Sequence, residues 1–299
     1  MAGFQNCLFG TSGWSYEDWK GLFYPEKCPS KFDSLRFAAE HFDALEINST
    51  FYRPPSPKTA QSWARRTEDL PGFEFTAKLH QRFTHQREKP WTANEADIYR
   101  RGIDPLAEAG KLGGILVQFP WSFKNTPESR AWLERLVGEF RRYPLFVEVR
   151  HNSWATADFL AFLDANEAGF VEVDQPLFSS SLTPGERVTA KRGYVRFHGR
   201  NKANWFAEGA GRNARYDYLY NEAELADWVG RIRKISTKAE KVFVFSNNHF
   251  RGQAAVNSLE LKSLLTGEKL AVPAELLKAY PRLSKVARPQ EGESQGRLI

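Results

Sequence analysis

Sulfur is nearly absent from this chain: its 299 residues include two cysteines, Cys7 and Cys28, and one methionine, the first residue. Two cysteines with no Cys-x-x-Cys spacing exclude a disulfide-stapled scaffold, which needs several bridges in a far shorter chain. Cys7 opens an apolar run and reads as a small buried hydrophobe. No apolar stretch approaches the roughly 20 residues of a membrane helix, so no membrane partner is expected. The first residues, Met-Ala-Gly-Phe-Gln-Asn, lack a basic region followed by an apolar run. The expectation is therefore a cytoplasmic protein. No Gly-x-Gly-x-x-Gly follows the first strand-like run, which argues against a dinucleotide-binding open sheet. No His-Glu-x-x-His or similar spacing marks a metal site among the six histidines, and no metal or cofactor is expected. The net charge of +6 permits an anionic partner without demanding one. It lacks the sharp basic cluster of a dedicated nucleic-acid module.

What is present is a regular alternation. Short apolar runs occur at 7–11, 43–48, 73–78, 114–119, 145–149, 169–174, 194–198 and 241–246. Most span five or six residues and are rich in Val, Ile, Leu and Phe, as expected of parallel strands covered on both faces. Amphipathic helical patterns fall near 31–41, 57–69, 94–111, 127–142, 156–167, 221–236 and 252–265. Ser56-Pro57 and Thr126-Pro127 supply a capping hydroxyl and then a proline suited to the first turn. Eight strands alternating with helices predict an α/β fold, a single TIM-type (β/α)8 barrel domain over 1–283. The alternation breaks between the sixth and seventh strands, where Gln175–Gly185 is rich in turn residues. A long loop is expected to replace a helix there. Residues 284–299 read as a polar, disordered tail.

Barrel chemistry sits at the C-terminal ends of strands. Those ends carry Ser12 and Trp14; Glu46, Asn48 and Tyr52; Lys78 and His80; Gln118; Glu148, Arg150 and His151; Asp174; Arg196 and His198; and Asn247, Asn248 and His249. Glu148 and Arg150 share one parity and point into the mouth together. Charges placed there are paired or face a ligand, because an isolated buried charge is costly. A lysine at the end of a barrel strand, as Lys78 is, serves as an anion anchor or forms a Schiff base. Tyr216, Tyr218 and Tyr220 alternate and either stack on a ligand or cover the rim. These features predict a pocket for an anionic, phosphate-bearing small molecule or nucleotide. Glu46 or Glu148 would act as acid or base, assisted by His198. Lys78, Arg150 and Arg196 would hold the anion. Asn48 and Asn247 would direct hydrogen bonds, and Trp14, Tyr52 and Trp154 would wall the site. Whether the protein is an enzyme is open. The alternatives are a non-catalytic nucleic-acid-binding protein and a metal-dependent endonuclease- or isomerase-like barrel. The residues do not fix an oligomeric state.

Several motifs together resemble one family. They are Gly10-Thr11-Ser12-Gly13-Trp14-Ser15-Tyr16, Phe23-Tyr24-Pro25, Glu46-Ile47-Asn48-Ser49-Thr50-Phe51-Tyr52-Arg53, Gln118-Phe119-Pro120, Glu148-Val149-Arg150-His151, Arg196-x-His198-Gly199-Arg200 and Ser246-Asn247-Asn248. The chain resembles the domain-of-unknown-function 72 family, the YecE-like barrels, from about residue 7 to 266. The resemblance implies a TIM-type barrel with a pocket at the strand C-termini, and no assigned reaction.

Overall fold

In a computed structural model the described residues are 4–207, 209 and 211–289. Eight parallel strands close into one barrel in chain order. They are β1 Cys7–Ser12, β2 Ala44–Ile47, β3 Glu74–Lys78, β4 Leu112–Gln118, β5 Leu145–Glu148, β6 Ala168–Asp174, β7 Arg192–Phe197 and β8 Lys241–Ser246. Closure runs through β1 and β8, with Cys7 opposite Val242 and Thr11 opposite Ser246. The helices are α1 Ser34–His41, α2 Pro57–Arg65, α3 Gln81–Thr84, α4 Ala93–Glu108, α5 Pro127–Phe140, α6 Ala157–Ala165, α7 Arg212–Arg215, α8 Glu222–Ser236, α9 Gln253–Thr266 and α10 Ala274–Ala279.

Local chemistry sets the helix starts. Ser56 and Thr126 accept hydrogen bonds from the amides of Thr59 and Ser129, with proline in the first turn of each helix. Asn221 and Glu224 form a reciprocal capping box at the head of α8. The amphipathic faces then bury Leu133, Leu136, Val137 and Phe140 of α5, and Leu225, Trp228, Val229 and Ile232 of α8, in the layer between helices and barrel.

Inside the barrel a separate apolar cluster holds Ala44, Leu116, Phe146, Val171, Tyr194, Phe243 and Phe245. These residues alternate with the outward-facing set, as strand parity requires. Two glycines make room for Phe146: a Cβ at Gly114 or Gly169 would come within 2.5 or 2.7 Å of its ring. The filled interior blocks any pore. It also gives the mouth a dry floor, which strengthens electrostatics above it.

No helix occupies 175–191, as the sequence predicts. The loop between β6 and β7 is nevertheless firmly held. Glu172 accepts hydrogen bonds from the amides of Gly185 and Arg187 and from the Arg187 guanidinium. The Leu182 amide donates to the Arg150 carbonyl at 2.8 Å, and the Asn152 amide donates to Ser180 at 2.9 Å. The loop therefore braces the backbone that carries Arg150. Of the segment 284–299 expected as a polar tail, Ser284 and Lys285 complete the 3-10 turn Pro281–Lys285 and Val286 is buried. The Val286 carbonyl accepts from Leu270, and the Arg288 amide donates to the Leu270 carbonyl. Residues 290–299 lie outside the described residues.

Candidate functional site

The mouth at the C-terminal end of the barrel contains a cleft lined by Tyr16, Asn48, Phe51, Tyr52, Lys78, Gln118, Arg150, Arg196, His198, Tyr216, Asn247 and His249. Every strand except β6 contributes, directly or through the loop that follows it, as expected for a barrel site.

Under this cleft lies a chain of alternating charges. Arg196 on β7 is 1% exposed and sits between two carboxylates that are fully buried. Its Nε and Nη2 donate to Glu46 at 2.9 and 2.6 Å, and its Nη1 donates to Glu148 at 2.6 Å. Glu46 also accepts from the Tyr194 hydroxyl at 2.7 Å, which in turn contacts Thr76 Oγ1 at 2.9 Å. On the far side, Arg150 reaches the second oxygen of Glu148 through Nε and Nη2 at 3.0 and 2.8 Å. The planar fork of arginine suits this bridging. Burial alone would push the Glu148 carboxyl up, but the Arg196 and Arg150 guanidiniums hold it well below the usual carboxylate range.

His198 lies against the same two guanidiniums, with Nε2 at 3.2 Å from Arg150 and 3.3 Å from Arg196. Asn247 fixes the other ring nitrogen at 2.8 Å. Burial and the two cations hold its pKa at about 3, so the ring is neutral at physiological pH. His198 is thereby a hydrogen-bonding element of the wall.

Lys78 differs from the arginines. Among the described residues its Nζ has no hydrogen bond or ion pair; it stands over the Phe51 ring, 4.1 Å from the centroid. Burial, and then the Arg196 guanidinium, bring its pKa down to about 7. Phe51 is there because a single 3-10 turn, Ser49–Phe51, follows β2 and swings Asn48, Phe51 and Tyr52 toward the cleft.

The structure thus brings Asn48, Tyr52, Lys78, Arg150, Arg196, His198 and Asn247 to one cleft, with Glu46 and Glu148 directly beneath. It separates the two tryptophans. Trp14 packs edge-on to Trp63 and lines an adjoining cleft that shares Tyr16, Asn48 and Tyr52. Trp154 is not a wall of the mouth. It is 1% exposed, stacks on Phe123 with centroids 5.1 Å apart, and donates its indole N–H to the Phe123 carbonyl. The cause is the 3-10 turn Asn152–Trp154, which carries it outward onto the face of α6.

Phe51, Gln118, Tyr16, Tyr216 and His249 complete the lining. Tyr16 stacks on His249 with centroids 4.4 Å apart, and Trp19 holds the His249 carbonyl through its indole N–H at 2.8 Å. The three alternating tyrosines diverge. Tyr216 faces the cleft, Tyr218 bonds Glu224, and buried Tyr220 bonds Asp174. Asp174 also accepts from Arg200 and Trp228 and so ties β6 to α8 outside the barrel. Among the described residues no three His, Cys, Asp or Glu side chains come together as a metal site. No helix among them is long and apolar enough to cross a membrane.

Comparison with known proteins agrees with this architecture. Residues 8–282 match the family described as "Protein of unknown function DUF72". The chain is 30% identical over 269 residues to the UPF0759 protein YunF of Bacillus subtilis, covering 86% of this chain and 93% of that protein. It is 29% identical over 144 residues to the UPF0759 protein YecE of Escherichia coli, 48% of this chain and 47% of that one. A crystal structure of a DUF72 family protein from Thermotoga maritima superposes with a TM-score of 0.76 at 36% identity, covering 87% of this chain and 98% of that chain. One from Enterococcus faecalis gives 0.75 at 29% identity, covering 87% and 95%. The chain belongs to the DUF72 family.

Proposed function

We propose that the barrel mouth binds a small anionic molecule, with a phosphate or carboxylate group seated between Lys78 and Arg150. One observation carries the reading. The carboxylates of the site are fully buried and so is Arg196 between them, whereas Lys78 and Arg150 are the charged groups that keep some exposure in the cleft. Three cations, Lys78, Arg150 and Arg196, stand against two carboxylates, and Lys78 is the one left without a partner among the described residues. Arg150 retains Nη1 with no acceptor among the described residues, a donor available to an incoming oxygen. A cleft sunk into the barrel mouth suits a small ligand rather than a duplex.

Ligand that binds only the folded chain raises its melting temperature. Inorganic phosphate is expected to raise the melting temperature of the wild type in a saturable way, and Arg150→Ala to abolish most of that increment. The competing reading, a nucleic-acid-binding protein, would instead show oligonucleotide affinity falling steeply with salt and no saturable phosphate effect. That result would replace the small-anion reading.

A further inference from the structure

We propose that Lys78 is a covalent nucleophile, condensing with the carbonyl carbon of an anionic aldehyde or ketone to form an imine in the barrel mouth. This rests on the anion-binding reading of the same cleft and adds a reaction to it.

The geometry separates Lys78 from the other cations. It ends β3 with the inward parity of Thr76, which places its amine in the cleft and above the closed apolar floor. A lysine kept only as a countercharge would be expected to meet a carboxylate. Glu46 and Glu148 are close enough to influence it, yet both are committed to Arg196 and Arg150. The Phe51 ring face is the direct contact that favours the ammonium form, with Glu46 and Glu148 adding attraction without an ion pair among the described residues. The charged groups acting on it are Glu46 of β2, Glu148 and Arg150 at the end of β5, and Arg196 of β7. His85, beyond α3, is itself held neutral, with a pKa of about 4, by burial and by Lys78 and Arg150. With burial and the two guanidiniums prevailing, Lys78 titrates near 7, and a large fraction is free amine at neutral pH. The cations that favour the free amine also form the seat for the anionic end of a substrate.

The step balances without an oxidant or reductant. The Nζ lone pair adds to the carbonyl carbon, and the carbonyl π pair moves to oxygen. The two amine protons then leave with that oxygen as water while the C=N bond forms. The ligand class is a short carbonyl compound bearing phosphate or carboxylate.

Glycolaldehyde phosphate is a probe with both features, and glycolaldehyde lacks the anion. The full chain is incubated with each plus sodium cyanoborohydride, and modified peptides are mapped by mass spectrometry. The expected result is stoichiometric labelling of Lys78 by the phosphorylated probe, at least tenfold faster than exposed Lys58, Lys124 or Lys238. The rate should rise with pH around 7 and be suppressed by inorganic phosphate. Lys78→Arg keeps the cation without a condensing amine, so it should keep a phosphate-induced thermal shift and lose the fast label. A phosphate-induced shift with Lys78 labelled no faster than surface lysines overturns the imine and leaves the anion site standing. Fast labelling of Lys78 by both probes alike, with no thermal shift, supports the nucleophile and overturns the anion site. Neither signal overturns both.

Discussion

Replacing Lys78 by methionine should make the protein more stable at pH 6, and the gain should fade as the pH rises. Lysine pays for its position in the cleft: its pKa drops from 10.5 to about 7 on folding. At about 1.4 kcal/mol per pH unit, holding the ammonium in the folded chain costs on the order of 5 kcal/mol. The Phe51 ring face, 4.1 Å away, offsets about 0.5–2 kcal/mol of this. A net cost of about 3–4.5 kcal/mol remains. The sign follows from proton binding. Between about 7 and 10.5 the unfolded chain holds a proton on Lys78 that the folded chain has released, so the wild type gains stability from this group as pH rises. Below about 7 both states are protonated and the cost is constant. Methionine fills similar volume and carries no charge. Urea denaturation of both chains, in buffers free of phosphate and sulfate, should show Lys78→Met ahead by about 3–4.5 kcal/mol at pH 6. The difference should shrink steadily above pH 7 and vanish near 10.5. A variant that is less stable than wild type at pH 6, or an advantage independent of pH, would refute the claim that the fold holds this amine against its own electrostatics.

Three further outcomes follow from the same geometry. Arg196→Met should cost about 3–5 kcal/mol in urea unfolding, because it strands two buried carboxylates, and Arg196→Lys should restore only part, since an ammonium cannot span Glu46 and Glu148. Tyr194→Phe removes one of the three hydrogen bonds to Glu46 and leaves the arginine pair intact, so its cost should stay near 1–3 kcal/mol. Trp154→Ala should lose about 3–5 kcal/mol of stability through its cavity, with phosphate affinity of the folded chain unchanged within about twofold.

The strands, their parity and the loop between β6 and β7 were legible in the sequence, because parallel barrel strands are short, apolar and separated by helical patterns of fixed period. Strand-end position then brought Glu46, Lys78, Glu148, Arg150, Arg196 and His198 to one place. Who pairs with whom was not legible. Arg196 and Glu46 are 150 residues apart, and no local pattern shows that one guanidinium spends three donors on two carboxylates. Asp174 and Trp154 follow strands as the site residues do, yet face the helix layer: Asp174 by its outward parity on β6, Trp154 through the turn after β5. Phe51 gave one signal, its offset of three from Asn48 in a turn that follows β2, which returns both to the cleft.

Calorimetric titration of inorganic phosphate into the wild type, Lys78→Met and Arg150→Ala at pH 6.5 tests the central claim most directly. The wild type should bind one phosphate per chain, and each substitution should weaken binding at least tenfold, even though Lys78→Met is the more stable protein. Absence of binding to the wild type at millimolar phosphate, or equal affinity in all three chains, would contradict the assignment of the barrel mouth as an anion site.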